Sequence, residues 1–312
     1  MRIHHLNCGT FCPLGGRFLD GFSKGPLGKL VCHCLLIETD DHGLVLIDTG
    51  LGTRDVERPT RRLSPLYMAL LNTRLRREET ALAQIEALGF SARDVRHIVL
   101  THLDFDHAGG LEDFPEATIH VTADERRAAD ERRGFVARRR YRPAQWDEVR
   151  NWRLYKTGGE PWFGFEAVRN LEGLPPEILL VPLVGHTRGH AGVAVETDRG
   201  WLLQAGDAYF HHAEMGGHER LCPPGLRAYQ NLMEVDRDKR LWNQDRLRKL
   251  ARDRQSDVRV FCAHDAVEFG QLKRRASAEE LAAARAVQPD LVDPDVRAVS
   301  PDRPWEGRSP AP

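Results

Sequence analysis

The chain has 312 residues, of which 41% are hydrophobic and 29% charged, and its formal net charge at pH 7 is −1. This composition is typical of a soluble globular protein and excludes a wholly disordered chain. The near-zero net charge provides no overall attraction to nucleic acid or to an anionic membrane surface. The sequence contains no run of about 18 apolar residues, so a transmembrane helix is not expected.

The N-terminus and the cysteines bear on the cellular compartment. The opening segment MRIHHLNCGTFCPLGG is too polar for a signal peptide, which predicts a cytoplasmic protein. The six cysteines form neither a C-x-x-C pair nor a paired zinc-finger spacing; they stand at positions 8, 12, 32, 34, 222 and 262. We interpret them as reduced, mostly buried thiols, with a metal or redox pair of Cys8 and Cys12 as the alternative.

Short apolar runs alternate with a helical pattern in the first third of the chain. Residues 34–39 and 43–50 are predicted to form two strands joined by a polar turn, and therefore a hairpin. Residues 79–90 have the apolar spacing of a helix that ends at Gly89. The strand predicted at 97–100 leads directly into THLDFDHAGG, which therefore lies on a loop at a strand end. Such loops are where α/β proteins usually build their sites.

The middle of the chain combines a charged stretch with an aromatic one. A strand is predicted at residues 118–121, and TADE at 122–125 has the pattern of a helix cap. We interpret the Arg-rich stretch 126–142 as a solvated helix with ion pairs between residues four apart; the alternatives are an anion-attracting cap or an RNA-contacting patch. The aromatic segment 146–165 and residues 11–22 are candidates for the walls of a hydrophobic pocket.

The last part of the chain completes the predicted domain. Further strands are predicted at residues 177–183, 192–197, 200–208 and 258–265, with a helix at 245–253. After about residue 285 the sequence is rich in Pro, Asp and Arg. We therefore predict one domain over residues 1–285, with a helical and aromatic insertion at about 122–175, and a poorly ordered tail over 286–312.

Imidazole and carboxylate groups follow several of these strands. The segments concerned share a small-residue turn after an apolar strand; they are HLDFDH with His102, Asp104, Asp106 and His107, then His186 in GHTRGHAG, Asp207 in QAGDA and His264 in CAHD. Each segment alone has an ordinary structural explanation, as a capped loop, a turn histidine, a helix cap or a core histidine. Their joint occurrence at strand ends favours a metal site. Seven ligands exceed the four of one tetrahedral zinc ion and fit two metals that share a carboxylate.

These motifs, in this order, resemble the metallo-β-lactamase superfamily of dinuclear hydrolases over about residues 30–270. The resemblance implies an α/β fold, the four-layer αβ/βα sandwich, with two metals at one edge between the sheets. It also implies a role for each ligand: His102, Asp104 and His186 would hold one metal, Asp106, His107 and His264 the other, and Asp207 would bridge them. Asp48 in LIDTG would orient the ligand loop, and His190 would support the turn that carries His186.

Asp104 departs from the commonest form of the family motif, which has His at this position. A carboxylate is a harder ligand than imidazole, so it favours iron or manganese more than an all-His site does, although zinc also accepts carboxylates. We therefore expect two divalent metal ions, with zinc as the first expectation and iron or manganese as alternatives. The other interpretation is that Asp104 does not bind metal and that the first site is weak or empty.

The segments HAGG, GHTRGHAG and the final HD look most like the lactonase-type hydrolases, including N-acyl homoserine lactonases. This resemblance implies a small-molecule ester or lactone, attacked by a hydroxide that two metals share, with Asp106 orienting the nucleophile. Those enzymes usually carry a Tyr just after the bridging Asp. Here Tyr209 stands two positions after Asp207, and Phe210 stands at the third. Tyr209 is therefore a candidate for assisting at the substrate oxygen, with packing in the core as the alternative.

Three other functions remain open from the sequence. One is a phosphodiesterase or nuclease of the same superfamily, which the near-zero net charge disfavours. Another is a non-catalytic, metal-bound sensor, which the retention of seven candidate ligands disfavours. A redox di-iron role would also suit Asp104, but no flavin-binding segment is evident. The predicted partner is a small-molecule substrate, with nucleic acid and membrane not expected, and the oligomeric state is open, a homodimer included.

Overall fold

Strand burial shows how the chain is layered. The computed structural model describes residues 1–156, 158–216 and 221–287. The strand Leu30–Glu38 is buried at every residue except the last. A strand whose two faces are both covered must lie inside a layered fold, with one face against another sheet and the other against helices.

The first sheet is mixed and holds seven strands in the order β4-β1-β2-β3-β5-β6-β7. Its strands are β1 (Arg2–Phe11), β2 (Leu30–Glu38), β3 (Leu44–Ile47), β4 (Thr73–Arg74), β5 (Val95–Val99), β6 (Thr118–Thr122) and β7 (Trp152–Tyr155). The predicted hairpin is confirmed, since β2 pairs with β3 in antiparallel fashion and Leu35 faces Ile47. β3, β5, β6 and β7 run parallel, so their carboxyl ends meet at one edge.

The second sheet holds six strands in the order β13-β12-β11-β10-β9-β8. These strands are β8 (Glu160–Trp162), β9 (Phe165–Asn170), β10 (Ile178–Pro182), β11 (Ala191–Thr197), β12 (Gly200–Gln204) and β13 (Val258–Phe261). β12 and β13 are parallel, whereas the other neighbours are antiparallel. The strands β12 and β13 therefore deliver the residues that follow them to the same edge.

Helices flank the two sheets. They are α1 (Arg17–Asp20), α2 (Thr53–Glu57), α3 (Pro59–Arg62), α4 (Pro65–Leu71), α5 (Ala81–Ala87), α6 (Ala123–Glu131), α7 (Ala137–Arg140), α8 (Pro224–Met233), α9 (Arg237–Asp253) and α10 (Ala266–Val287). α5 begins after Thr80, whose hydroxyl accepts the Ala83 N–H as a helix cap. Within the described residues, no helix combines the length and the apolar character that a membrane span requires.

Three apolar cores separate the layers. Between the sheets, Ile47 of the first packs in one cluster with Val193 of the second. On the outer face of the first sheet, Ile85 of α5 joins the core, and on the outer face of the second sheet Leu247 of α9 does so. The order helix, sheet, sheet, helix is the four-layer sandwich that the sequence predicts.

The structure bears on two expectations about domain organisation. Residues 122–175, expected as an insertion, supply β7 to the edge of the first sheet and both β8 and β9 to the edge of the second. The segment therefore connects the two sheets. Of the tail predicted over 286–312, residues 288–312 lie outside the described residues. All six cysteines are free thiols, as expected.

Candidate metal centre

The seven predicted ligands lie together where the two sheets meet. The residues after β5 carry four of them, the connection from β10 to β11 carries His186, and the residues after β12 and β13 carry Asp207 and His264. Each of the seven has at most 6% of its surface exposed. Burial of so many ionisable groups in one place is unfavourable unless they bind each other or a metal.

One group of ligand atoms lies around the carboxylate of Asp207. Ligand atoms of His102, Asp104, His186 and Asp207 all lie within 4.8 Å of one another. The His186 Nε2 atom is 3.3 Å from Asp207 Oδ2 and 3.2 Å from Asp104 Oδ2. His102 Nε2 lies 3.7 Å from Asp207 Oδ2. These distances suit four atoms around one ion.

A second group lies on the other oxygen of Asp207. His107 Nε2 is 3.3 Å and His264 Nε2 is 3.1 Å from Asp207 Oδ1. Asp106 joins through His264: its Oδ2 lies 3.6 Å from His264 Nε2, and its own group consists of Asp106, His264 and Cys32. Asp207 therefore presents Oδ2 to one group and Oδ1 to the other, which is the arrangement of a bridging carboxylate.

The chemistry of these atoms fits a cation. His107 Nδ1 bonds Asp48, and His264 Nδ1 donates to the Val31 carbonyl at 2.7 Å, so each ring points its Nε2 atom inward. These two Nε2 atoms are 3.4 Å apart and share the side of Asp207. Burial alone would raise the pKa of Asp207, but His264 and His107 outweigh it and hold the pKa well below its usual range. Two Nε2 atoms beside an ionised carboxylate suit a divalent metal, which would bind both rings in their neutral form.

Asp48 orients histidines in both groups. It follows β3 with a φ of 54°, a left-handed conformation that Asp tolerates. Its Oδ2 atom lies 2.9 Å from His107 Nδ1, and its two oxygens accept the N–H and the hydroxyl of Thr101 at 2.8 Å each. The Thr101 hydroxyl in turn lies 3.0 Å from His102 Nδ1. These contacts select the tautomer that presents Nε2 to a metal.

His190 supports the turn and does not contribute a ligand nitrogen. Its Nδ1 lies 2.9 Å from the Leu183 carbonyl, and its Nε2 accepts the Asp207 backbone N–H at 2.9 Å. Burial lowers the pKa of His190 to about 3, so the ring is neutral. With both nitrogens engaged, His190 fixes the position of Asp207.

Glu125 connects the two ligand loops and was missed by the sequence analysis. This fully buried carboxylate accepts the Leu103 N–H at 3.0 Å and the Gly189 N–H at 3.1 Å. The hydroxyls of Thr187 and Tyr141 also donate to it. Leu103 lies between two ligands of the first loop, and Thr187 follows His186. Glu125 therefore fixes the spacing between the loops.

The Arg-rich stretch is only partly a solvated helix. Arg126 pairs with Asp130 at 3.1 Å on the surface, as predicted for residues four apart. The interpretation is wrong for Arg140, which is 1% exposed and whose Nη2 atom lies 2.7 Å from Asp104 Oδ2. No signal in the sequence separates Arg140 from its exposed neighbours, because its burial follows from the direction in which α7 packs.

Aromatic rings border the ligands on one side. Phe210 stacks on His264 with ring centroids 5.2 Å apart, and it lies 5.8 Å from His186. Phe11, from the predicted pocket wall at 11–22, lies 6.3 Å from His264. Tyr229 of α8 packs on Phe210 at 5.8 Å. Burial, followed by the nearby carboxylates of the ligands, raises the pKa of Tyr229 well above its usual range.

The other predicted pocket wall packs elsewhere. Trp146 belongs to the core on the outer face of the first sheet, and Trp162 and Phe165 belong to the core on the outer face of the second. These rings are buried because their segment supplies edge strands to the sheets. The segment 146–165 therefore contributes these rings to the cores away from the ligands.

Tyr209 also points into a core. It is fully buried in the cluster that covers the second sheet, and its hydroxyl donates to Glu268 at 3.0 Å. Its neighbour Phe210 instead packs on His186 and His264, so Phe210, and not Tyr209, faces the ligands. The geometry favours the packing alternative for Tyr209 over a role at the substrate.

We predict that Tyr209→Phe leaves the metal content unchanged and alters the hydrolytic rate less than twofold. It should lower the free energy of unfolding by about 1 kcal/mol, because one buried hydrogen bond is lost. Metal analysis, steady-state kinetics and denaturation with urea check this expectation. A fall of more than tenfold in kcat at full metal content would contradict the packing role.

The fold and the candidate ligands are those of a metal-dependent hydrolase. The chain belongs to the metallo-β-lactamase superfamily, whose sequence profile matches residues 27–254. It is 43% identical to a probable metallo-hydrolase of Mycobacterium tuberculosis over 85% of this chain and 80% of that protein. It is 25% identical to an N-acyl homoserine lactonase of Bacillus cereus over 62% of this chain and 72% of that protein.

A solved structure agrees with the fold. The crystal structure of a Bacillus thuringiensis AiiA variant, with N-decanoyl-L-homoserine bound at its active site, superposes with a TM-score of 0.63. The match covers 86% of this chain and 95% of the other, at 20% sequence identity. At that identity the likeness supports the fold alone.

Proposed function

We propose that the protein is a dinuclear hydrolase that cleaves a carbonyl ester, a lactone first among them, in a small molecule. The observation that carries the proposal is the position of Asp207, whose two oxygens face two separate groups of ligand atoms. Phe210 and Phe11 border these groups with apolar surface, which suits an acyl chain or a neutral ring. The lactonases among the relatives are consistent with this substrate class.

Two bound divalent ions would supply Lewis acidity and lower the pKa of a shared water. The residues of the chain would position the reactants. His102, Asp104 and His186 would hold the first ion, while Asp106, His107 and His264 would hold the second. Asp106, at 6% exposure the most accessible of the ligands, would also orient the attacking water. Zinc is the expected metal, and Asp104 keeps iron and manganese as alternatives.

A phosphodiester fits the surroundings less well. Sites that bind a phosphate often offer it charged N–H groups of Arg or Lys in addition to metal ions. Both Nη atoms of Arg140, a buried cation beside the ligands, already bond groups of the protein. The apolar wall formed by Phe210 and Phe11 offers no charge to a phosphate. These contacts favour the carbonyl ester.

Metal analysis and a substrate panel test the proposal. Protein purified without added metal should contain two divalent ions per chain by mass spectrometry. It should hydrolyse at least one member of a panel of acyl homoserine lactones, other lactones and aryl esters. A chelator should abolish this activity, and the original metal should restore it. Turnover of bis-aryl phosphodiesters alone would favour the nuclease-type alternative, and tight ligand binding without any turnover would favour a sensor.

The cellular location and the assembly remain separate predictions. A cytoplasmic location is one prediction, which fractionation of the native host would test. A homodimer is one outcome that light scattering on the purified protein would distinguish from a monomer.

A further inference from the structure

Arg140 at the end of α7 is one of the most deeply buried large side chains in the described part of the chain. Its Nη2 atom lies 2.7 Å from Asp104 Oδ2 and 2.7 Å from His186 Nε2. Its Nη1 atom donates to the backbone carbonyls of His186 at 3.1 Å and Met233 at 2.9 Å. A guanidinium thus contacts two of the ligands expected at the first metal.

Burying a guanidinium is costly unless a partner of opposite charge compensates. The partner here is Asp104, which occupies the position where the common family motif has a neutral imidazole. The two side chains form a buried ion pair, at 1% and 3% exposure. Asp104 and Arg140 together carry no net charge, as an imidazole does. The pair therefore matches the charge of the ligand it replaces.

We propose that Arg140 is the positioning residue of the first metal site: it binds Oδ2 of Asp104 and cancels its charge, which holds the carboxylate in place as a ligand. This inference rests on the proposed dinuclear centre. Asp104 Oδ1 is buried and has no hydrogen-bond partner in the described residues, which leaves it free to bind an ion. The carboxylate therefore keeps oxygen lone pairs for a metal while it accepts the bond from Arg140.

The contact between Arg140 and His186 is not expected to persist when metal is bound. His186 Nε2 has a single lone pair, which cannot accept an N–H from Arg140 and bind a metal at the same time. Asp104 has two oxygens and can do both. The bond from Arg140 to Asp104 is therefore the one that persists when metal is bound. A rival arrangement, in which the guanidinium takes the place of the first ion, predicts a single metal per chain.

Four proteins separate these arrangements: the wild type, Arg140→Met, Asp104→His and the double variant. Arg140→Met leaves an uncompensated carboxylate, and Asp104→His leaves an uncompensated guanidinium beside a cation. Each single variant should bind the first ion about 10- to 100-fold more weakly, the range seen when a group that orients a ligand is lost. The double variant should recover two ions per chain, because neutral His then stands beside neutral Met.

Metal per chain is measured by mass spectrometry after dialysis, and affinity by competition with a chelating dye, so that no substrate is needed. A double variant as poor in metal as Arg140→Met alone would overturn the proposal. A wild type with one ion and an Arg140→Met variant with two would overturn it in favour of the rival arrangement. Failure of every substrate in the panel, with this pattern of metal binding intact, would count against the hydrolase proposal only.

Two further variants distinguish a specific loss of metal binding from a general loss of folding. Arg140→Lys keeps a positive charge beside Asp104, so this variant should retain the first ion. The double variant Arg140→Lys, Asp104→His should lose the first ion. Arg240→Met is the matched control, because Arg240 is also buried, with Nε 2.6 Å from Glu234, but contacts none of the seven ligands. Arg240→Met should lower the melting temperature and keep two ions per chain. Adding Asp104→His to it should not improve metal binding. Loss of an ion in Arg240→Met would mean that the metal count reports general damage, which would contradict a specific role for Arg140.

Discussion

Asp207→Ala is expected to remove both metal ions and to lower kcat/KM for any lactone or ester substrate by about a thousandfold or more. The two oxygens of Asp207 face the two groups of ligand atoms, so one substitution weakens both sites. Metal ions contribute several kcal/mol to stabilisation of the transition state, and about 4 kcal/mol corresponds to a factor of about a thousand in rate. Mass spectrometry of the dialysed protein and steady-state kinetics measure the two effects.

A matched control separates this effect from a change in the sheet. Asp198 lies in the exposed turn before β12, the strand that leads to Asp207. Asp198→Ala should keep both ions and the wild-type rate, and change the free energy of unfolding by no more than about 0.5 kcal/mol. Asp207→Ala with two tightly held ions would show that another residue bridges the centre.

The grouping of the seven candidate ligands was predictable because simple rules locate strand ends. Apolar runs identify β5, β12 and β13, and polar groups directly after such strands lie at the edge where sites form. Asp104 and His186 could be placed without any knowledge of side-chain direction, since their loops are short. The fold followed from the same pattern and from the resemblance of the motifs.

Side-chain direction and burial of charge were not predictable in this way. Tyr209 and Phe210 are neighbours in sequence, yet one bonds Glu268 in a core and the other stacks on His264. Arg140 stands among exposed arginines, and nothing local marks it as buried. β1 was missed because polar residues interrupt its apolar pattern; His5 is buried there through a 2.8 Å contact with His33 of β2. Such contacts between distant segments decide the outcome, and a single sequence does not display them.

Glu125→Ala is expected to lower the free energy of unfolding by about 3–5 kcal/mol, the effect of breaking a buried polar network. The substitution leaves the buried N–H groups of Leu103 and Gly189 without their acceptor, and each such group costs about 1–3 kcal/mol. The loss should be larger with metal present than with a chelator, because Glu125 holds together the loops that carry Asp104 and His186. Urea denaturation in both conditions measures the difference.

The neighbouring residue provides the control for this prediction. The side chain of Asp124 is 49% exposed and pairs with Arg127 on the surface of α6. Asp124→Ala should change the free energy of unfolding by less than about 0.5 kcal/mol in either condition, since surface ion pairs contribute little. Equal destabilisation of Glu125→Ala with metal and with chelator would mean that Glu125 stabilises α6 alone. A larger loss with metal would mean that one buried carboxylate, outside the ligand set, maintains the geometry of both loops at the first site.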